Sequence, residues 1–82
     1  MVVVVLTPRE RLILTFEEQY PKAGGMKDQR IRETFGFSAV RFYQQLYALA
    51  GRQDAEEEFP QLVHRLRRLM AKRSDARSRR VA

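Results

Sequence analysis

Apolar residues recur at three- and four-residue spacing along most of the chain, which is the pattern of amphipathic helices packed around one core. The first helix is predicted to start at Thr7, which makes a capping-box pattern with Glu10. It is predicted to run to Tyr20, where Pro21 ends it. The chain is therefore expected to be all-α. The predicted buried stripe of this helix is Leu12, Ile13, Phe16 and Tyr20.

Two further helices are predicted on either side of a glycine turn. The second spans Met26–Phe35 and ends at Gly36 in the left-handed conformation that glycine adopts readily. Ser38 caps the third helix, Ala39–Ala50, which is expected to end at Gly51 in the same left-handed way. The short connections predict a small three-helix core.

The C-terminal part is predicted to hold a short helix and then a longer one. Asp54 begins a second capping-box pattern, but Pro60 limits this segment to one or two turns. Pro60 also suits the first turn of a last, basic amphipathic helix that ends near Arg73. The apolar stripe of that helix is Leu62, Val63, Leu66, Leu69 and Met70.

These signals divide the chain into a leader at 1–6, a helical domain at 7–73 and a basic tail at 74–82 that is predicted to be disordered. The leader is apolar but too short for a membrane span or a secretory signal. An extended leader that covers part of the core is the preferred interpretation. A strand that pairs between two copies is the alternative, because β-branched runs favour pairing.

The stretch from Ile31 to Leu46 has the pattern of a helix-turn-helix. Gly36 takes the backbone through the turn, and Phe37 fills the space between the two helices. At 100° per residue, Phe42, Leu46 and Leu49 point inward together. The same rotation places other residues outward, with Tyr43 and Gln45 at the borders: Val40, Arg41, Gln44, Tyr47 and Ala48.

The outward face has the chemistry to read a DNA major groove. Arg41 can donate two hydrogen bonds to guanine, Gln44 can pair with adenine, and Val40 can contact a thymine methyl group. The predicted base contacts are Val40, Arg41, Gln44 and Tyr47. The predicted phosphate contacts are Gln29, Arg30, Arg32, Ser38, Arg65, Arg68, Lys72, Arg77, Arg79 and Arg80. In the competing interpretation the motif belongs to a purely structural bundle, Tyr43 and Tyr47 pack under the last helix, and Arg41 is a solvated charge.

The positive charge of the chain is concentrated at the C-terminus. The whole chain carries +6, and residues 64–82 alone carry +7 while residues 52–63 carry −3. Dense arginine without acidic neighbours favours a polyanionic partner or a solvated tail. The acidic run Glu56–Glu58 is interpreted as a solvated turn, and the alternative is that it shields the basic helix or fixes its docking.

Catalysis is not expected from these residues. The chain has no cysteine, which excludes thiolate chemistry, and its single histidine, His64, is predicted on the polar side of its helix. The run Glu56–Glu58 has no second carboxylate group converging on it, and Gly24-Gly25 is too short for a phosphate-binding loop. We therefore expect no metal and no cofactor.

Two resemblances carry further expectations. Leu6-Thr7-Pro8-Arg9-Glu10-Arg11 ahead of a helix-turn-helix is similar to the opening of LuxR-type and sigma-factor region-four DNA-binding domains. Three motifs together resemble more closely a family of short actinobacterial proteins of unknown function: Phe35-Gly36-Phe37-Ser38, Arg41-Phe42-Tyr43-Gln44 and Leu66-Arg67-Arg68-Leu69. This resemblance covers about Leu6 to Arg80, although the initial valine run and Tyr20-Pro21 depart from the pattern. It implies a small cytoplasmic helical protein that binds DNA and has no assigned activity.

The expected function is that of a DNA-binding transcriptional regulator or a nucleoid-associated accessory factor, with double-stranded DNA as the partner. The alternative is a non-catalytic accessory protein that binds RNA polymerase, the ribosome or another protein through its aromatic and basic helices. A membrane partner ranks last, because the apolar stripe of the last helix is needed to cover a small core.

Overall fold

The computed structural model describes the backbone of residues 5–81 and the side chains of residues 5–74. Residues 5–81 form five helices and no strand, which confirms the all-α class. The leader residues Met1–Val4 and the terminal Ala82 lie outside the described residues. The helices are α1 (Pro8–Gln19), α2 (Gly25–Phe35), α3 (Ala39–Ala50), α4 (Gln53–Glu58) and α5 (Pro60–Val81).

The predicted starts of α1 and α3 and the glycine turn between α2 and α3 are confirmed. The Thr7 hydroxyl accepts from the backbone N–H of Glu10, whose carboxylate accepts from the Thr7 N–H at 2.8 Å, so both halves of the capping box form. Gly36 ends α2 with φ 77°, in the left-handed region. Ser38 Oγ accepts from the Arg41 N–H at 3.3 Å and caps α3.

The prediction that Gly51 adopts the left-handed conformation is wrong. Its φ of −85° is right-handed, because the chain leaves α3 through a tight turn. In that turn Gly51 N–H donates to the Ala48 carbonyl and Arg52 N–H to the Leu49 carbonyl. The predicted Asp54 cap is also wrong: Arg52 is the N-cap of α4, and Asp54 lies in the first turn, where its Oδ1 accepts from the Ala55 N–H.

The last helix is longer than its apolar stripe. The sequence predicts an end near Arg73, whereas the backbone of α5 stays helical to Val81. Residues 74–81 contain neither proline nor glycine, so nothing in them breaks the helix. The side chains of the predicted tail contacts Arg77, Arg79 and Arg80 lie outside the described residues.

One core joins all five helices and the end of the leader. Leu6 is buried, in keeping with a leader that covers the core, and Phe42 of α3 lies at the centre. Its ring is 5.4 Å from Phe16 and 5.6 Å from Phe35, so α1, α2 and α3 meet at three aromatic rings. The buried apolar residues are Leu6, Ile13, Leu14, Phe16, Ile31, Phe42, Leu46, Leu49, Ala50, Ala55, Leu62, Val63 and Leu66.

Three predicted core positions are wrong. Leu12 is 46% exposed, because the buried face of α1 is turned toward Leu14 and Glu17. Leu69 and Met70 are 43% and 38% exposed, because the buried stretch of α5 ends at Leu66.

Candidate nucleic-acid interface

The turn between α2 and α3 fixes how these helices meet. The Phe37 ring stacks on Phe35, with centroids 5.3 Å apart and planes 3° from parallel. The Arg9 guanidinium, at the start of α1, lies 5.3 Å from the Phe37 ring centroid. Gly36 N–H donates to the Arg32 carbonyl and closes α2. The turn is therefore packed by its own aromatic residues.

The outer face of α3 is exposed to solvent. Val40 is 68% exposed, and Arg41, Gln44 and Ala48 are also exposed. The inner residues Phe42, Leu46 and Leu49 are buried, so the predicted rotation of α3 is confirmed. In the part of the chain that the structure describes, the Arg41 and Gln44 side chains make no hydrogen bond or ion pair.

Tyr47 has different surroundings from the other predicted base contacts. It is half-buried, and the Arg73 guanidinium of α5 lies 5.5 Å from its ring centroid. Its other neighbour is Tyr43, whose ring is stacked 6.2 Å away. Val40, Gln44, Tyr47 and Arg73 border one groove of about 640 Å³, which lies between α3, α5 and the start of α2. Val40 and Gln44 are exposed at this groove, whereas Tyr47 is partly covered.

The predicted phosphate contacts fall on separate surfaces. Those on α2 and at the turn are exposed: Gln29, Arg30, Arg32 and Ser38. The Arg30 guanidinium lies 5.1 Å from the Tyr20 ring centroid, and its Nη1 donates to the Tyr20 hydroxyl at 3.5 Å. On α5, Arg65 and Arg68 border a recess that also includes Glu18 of α1, and Lys72 is exposed.

The acidic residues of α4 bind the arginines of its neighbours. Glu58 accepts two hydrogen bonds from Arg11 at 2.8 and 2.9 Å, and Glu56 accepts from Arg67. His64 is exposed as predicted, with Nε2 3.3 Å from the same Glu56 carboxylate. The interpretation of Glu56–Glu58 as a solvated turn is therefore wrong, because two of its three carboxylates fasten α4 to α1 and α5.

Arg52 joins the start of α1 to α4. Its guanidinium donates to Glu10 at 2.5 Å and to both carboxylate oxygens of Asp54 at 2.5 and 3.0 Å. Together with the α4 pairs, this arrangement engages three cations within the fold: Arg11, Arg52 and Arg67. The positive charge available to a partner therefore lies elsewhere on the molecule.

These ion pairs lower the pKa of three carboxyl groups. The backbone N–H of Thr7 and the Arg52 guanidinium lower the pKa of Glu10, Arg52 lowers the pKa of Asp54, and Arg11 lowers that of Glu58. A carboxyl whose pKa is lower in the folded than in the unfolded chain stabilises the fold at pH values above its unfolded pKa. That stabilisation disappears as the pH falls through the folded pKa.

We therefore expect the melting temperature to be constant near neutral pH and to fall below about pH 4, where unfolded carboxyl groups begin to bind protons. Thermal unfolding followed by circular dichroism at a series of pH values measures this. Arg52→Gln should make the acid side of the profile less steep, because it removes a partner of both Glu10 and Asp54. A melting temperature that stays constant down to about pH 2 would contradict the role of these pairs.

Arg67 has a structural function that the sequence did not separate from its basic neighbours. Its Nε donates to the Ala50 carbonyl at the end of α3 at 2.7 Å, while its guanidinium also reaches Glu56. We expect Arg67→Ala to lower the free energy of unfolding by about 1–2 kcal/mol, because a charged donor to two partners is lost. Arg68→Ala, one residue along the same helix and exposed, should change it by less than about 0.5 kcal/mol. Equal effects in urea unfolding would contradict this assignment.

A buried ion pair lies beneath the groove and was missed in the sequence. Lys27 Nζ donates to Glu17 Oε1 at 2.5 Å, with the two side chains only 3% and 7% exposed. The ammonium group lies 5.0 Å from the Tyr43 ring centroid and 5.8 Å from that of Phe42. One signal existed: Lys27 precedes Ile31 by four residues and Phe35 by eight, so it lies on the inner face of α2.

Within the described residues, no three histidine, aspartate or glutamate side chains come close enough together to hold a metal ion. Among the same residues, no helix has both the length and the apolar character needed to cross a membrane.

The fold and this surface define a class: small all-α proteins in which a glycine turn joins a helix to a second helix with an exposed polar face. The chain belongs to the DUF3263 family of proteins of unknown function, which matches residues 5–78. Membership in an uncharacterised family, as the sequence motifs imply, is thereby confirmed. No curated protein and no solved structure gives a significant match.

Proposed function

We propose that this protein is a non-catalytic, cytoplasmic DNA-binding module in which α2, the Gly36 turn and α3 act as a helix-turn-helix. In this proposal α3 enters the major groove of double-stranded DNA. The protein would serve as a transcriptional regulator or a nucleoid-associated accessory factor. The observation that supports it best is the outer face of α3, where Arg41 and Gln44 are exposed and have no partner among the described side chains.

The chemistry of that face matches base edges. Arg41 offers a forked guanidinium suited to guanine, and Gln44 offers an amide suited to adenine. Val40 adds an apolar contact for a thymine methyl group. The ion pairs of α4 support the same proposal, because they engage Arg11, Arg52 and Arg67 within the fold, whereas Arg41 has no ion pair among the described side chains.

Selection of bound sequences from random duplexes tests base readout. We expect an enriched sequence, and we expect Arg41→Ala and Gln44→Ala each to cost about 1–3 kcal/mol on it and to relax the preference at one position. Gln53→Ala is the matched control, since Gln53 is an exposed glutamine on α4. Base readout by α3 is wrong if no sequence is enriched or if both α3 variants keep the preference of the wild type.

The phosphate contacts have a separate measurement. Each phosphate neutralised on duplex DNA changes the slope of log affinity against log salt by about 0.9. Truncation after Ser74 removes Arg77, Arg79 and Arg80 and should reduce the magnitude of the slope if these residues bind phosphates. An unchanged slope, in a truncated protein whose thermal unfolding shows that the remaining chain is folded, would exclude the tail from the interface.

The groove between α3 and α5 favours a second candidate, an accessory protein that binds RNA polymerase, the ribosome or another protein. Its walls include Val40, Tyr43, Leu66 and the half-exposed Leu69. Recovery of polymerase or ribosomal components after nuclease treatment, lost on Leu69→Glu, would favour this candidate over DNA binding. Failure to recover either component would count against it.

A further inference from the structure

Arg73 continues the spacing of the apolar residues of α5 beyond the buried part of the helix. Leu62, Leu66 and Leu69 recur at spacings of four and three, and Arg73 follows four residues later. Its guanidinium accordingly lies over the Tyr47 ring of α3, 5.5 Å from the centroid. The position that follows the apolar stripe of α5 is therefore occupied by a cation, which contacts α3.

This position puts Arg73 beside the face that we propose reads DNA. Arg73 borders the same groove as Val40 and Gln44, whereas Arg65 and Arg68 border the recess next to Glu18. Arg73 thus lies on a different surface from Arg65 and Arg68. The surface next to α3 receives Arg73, one of the basic residues of the last helix.

The contact with Tyr47 leaves the hydrogen-bonding capacity of Arg73 free. A contact with one aromatic ring does not occupy all five N–H donors of a guanidinium. No carboxylate among the described side chains pairs with Arg73. Tyr47, in turn, has Arg73 over its ring and Tyr43 beside it, so its ring is not presented to a base.

We propose that Arg73 binds a DNA phosphate at the edge of α3 and that Tyr47 is the positioning residue that holds it there. This inference rests on the proposed DNA-binding function. It gives Tyr47 a role different from the base contact that its helical position predicts. It also predicts that the Tyr47 ring is needed and that its hydroxyl is not.

Salt dependence of binding to an arbitrary duplex tests the proposal. Arg73→Ala should reduce the magnitude of the slope by about 0.9, the amount for one phosphate. Arg11→Ala makes the same change in net charge at a residue engaged by Glu58, and it should leave the slope unchanged. Circular dichroism and thermal unfolding of each variant establish that it is folded.

Two variants of Tyr47 test positioning. Tyr47→Phe keeps the ring and should bind like the wild type. Tyr47→Leu should weaken binding about two- to five-fold, the equivalent of the roughly 0.5–1 kcal/mol of an exposed cation–π contact. In an Arg73→Ala background, Tyr47→Leu should have no further effect on binding, because the residue that Tyr47 positions is absent. If Tyr47 has only a structural role, Tyr47→Leu should lower stability in both backgrounds and leave DNA binding unchanged in both.

Each alternative has its own outcome. If the wild type binds duplex DNA and Arg73→Ala keeps its salt slope, the assignment of Arg73 is wrong while the proposed function stands. If Tyr47→Phe changes the sequence preference, Tyr47 reads a base and does not position Arg73. If the wild type binds no duplex, both the proposed function and this inference fail.

Discussion

Replacing Lys27 with methionine should lower the free energy of unfolding by about 3–5 kcal/mol, the cost of removing one partner of a buried ion pair. The Glu17 carboxylate would remain inside the fold, 7% exposed, with its charge uncompensated. The loss of packing is small, because methionine matches the lysine stem in length and can stay against the Phe42 and Tyr43 rings. Urea unfolding followed by circular dichroism measures the change. Native domains have free energies of unfolding of the order of 5–15 kcal/mol, so this loss would be a large fraction of the total stability.

The double variant Glu17→Leu with Lys27→Met separates charge from packing. It removes both charges and fills the site with apolar atoms, so it should recover most of the loss and can exceed the wild type. It also keeps the prediction testable if Lys27→Met does not fold. Glu18→Leu is the control, because Glu18 is the exposed neighbour of Glu17 and should change stability by less than about 0.5 kcal/mol. A Lys27→Met variant within 1 kcal/mol of the wild type would show that the pair contributes little to the fold.

The helices could be predicted because their ends are decided by residues next to each other in the chain. The capping box of Thr7 and Glu10 needs only four residues, and it forms as expected. The left-handed Gly36 and the Ser38 cap are equally local, and they place α3 at the predicted bounds. Gly51 shows the limit of such reasoning. Its conformation depends on the path that the chain takes into α4, which the residue type does not determine.

The packing of the helices could be predicted only in part, because it depends on partners distant in sequence. The spacing in α1 places Leu12 and Ile13 on adjoining faces, and the position of the other helices decides that Ile13 is buried. The same dependence explains why the ion pairs of Glu56 and Glu58 were not predicted. Their partners, Arg67 and Arg11, are distant in sequence, and the pairs depend on how α4 packs against α5 and α1. A run of acidic residues has no feature in the sequence that separates a solvated turn from a docked one.

The candidate interface, too, could be predicted only in part. Rotation along α3 correctly placed Val40, Arg41 and Gln44 on the outside, because that depends on one helix alone. The surroundings of Tyr47 depend on where α5 passes, and they bring Arg73 over its ring. A helical wheel therefore identifies an outer face but does not show which of its edges a second helix covers. For that reason the base-contact assignment of Tyr47 and the phosphate assignment of Arg73 call for separate experiments.

Replacing Phe42 with alanine should lower the free energy of unfolding by about 3–5 kcal/mol. Phe42 is fully buried and its ring contacts those of Phe16, Phe35 and Tyr43, so the lost ring would leave a cavity where α1, α2 and α3 meet. Measurement is by urea unfolding, with the melting temperature as a second readout. Phe42→Leu keeps part of the volume and should lose less, which preserves the comparison if the alanine variant is unfolded.

Two controls test whether this loss comes from the core junction. Leu12→Ala truncates an apolar residue that is 46% exposed and should cost less than half as much as Phe42→Ala. Tyr43→Phe removes a buried hydroxyl that has no hydrogen-bond partner among the described groups. It should leave stability unchanged or raise it by about 1 kcal/mol, because an unpaired buried donor is costly. Equal losses for Leu12→Ala and Phe42→Ala would contradict a core centred on Phe42. Burial of Phe42 on one side of α3 places Arg41 and Gln44 on the exposed side of the same helix. Equal losses would therefore also weaken the explanation for the exposure of Arg41 and Gln44.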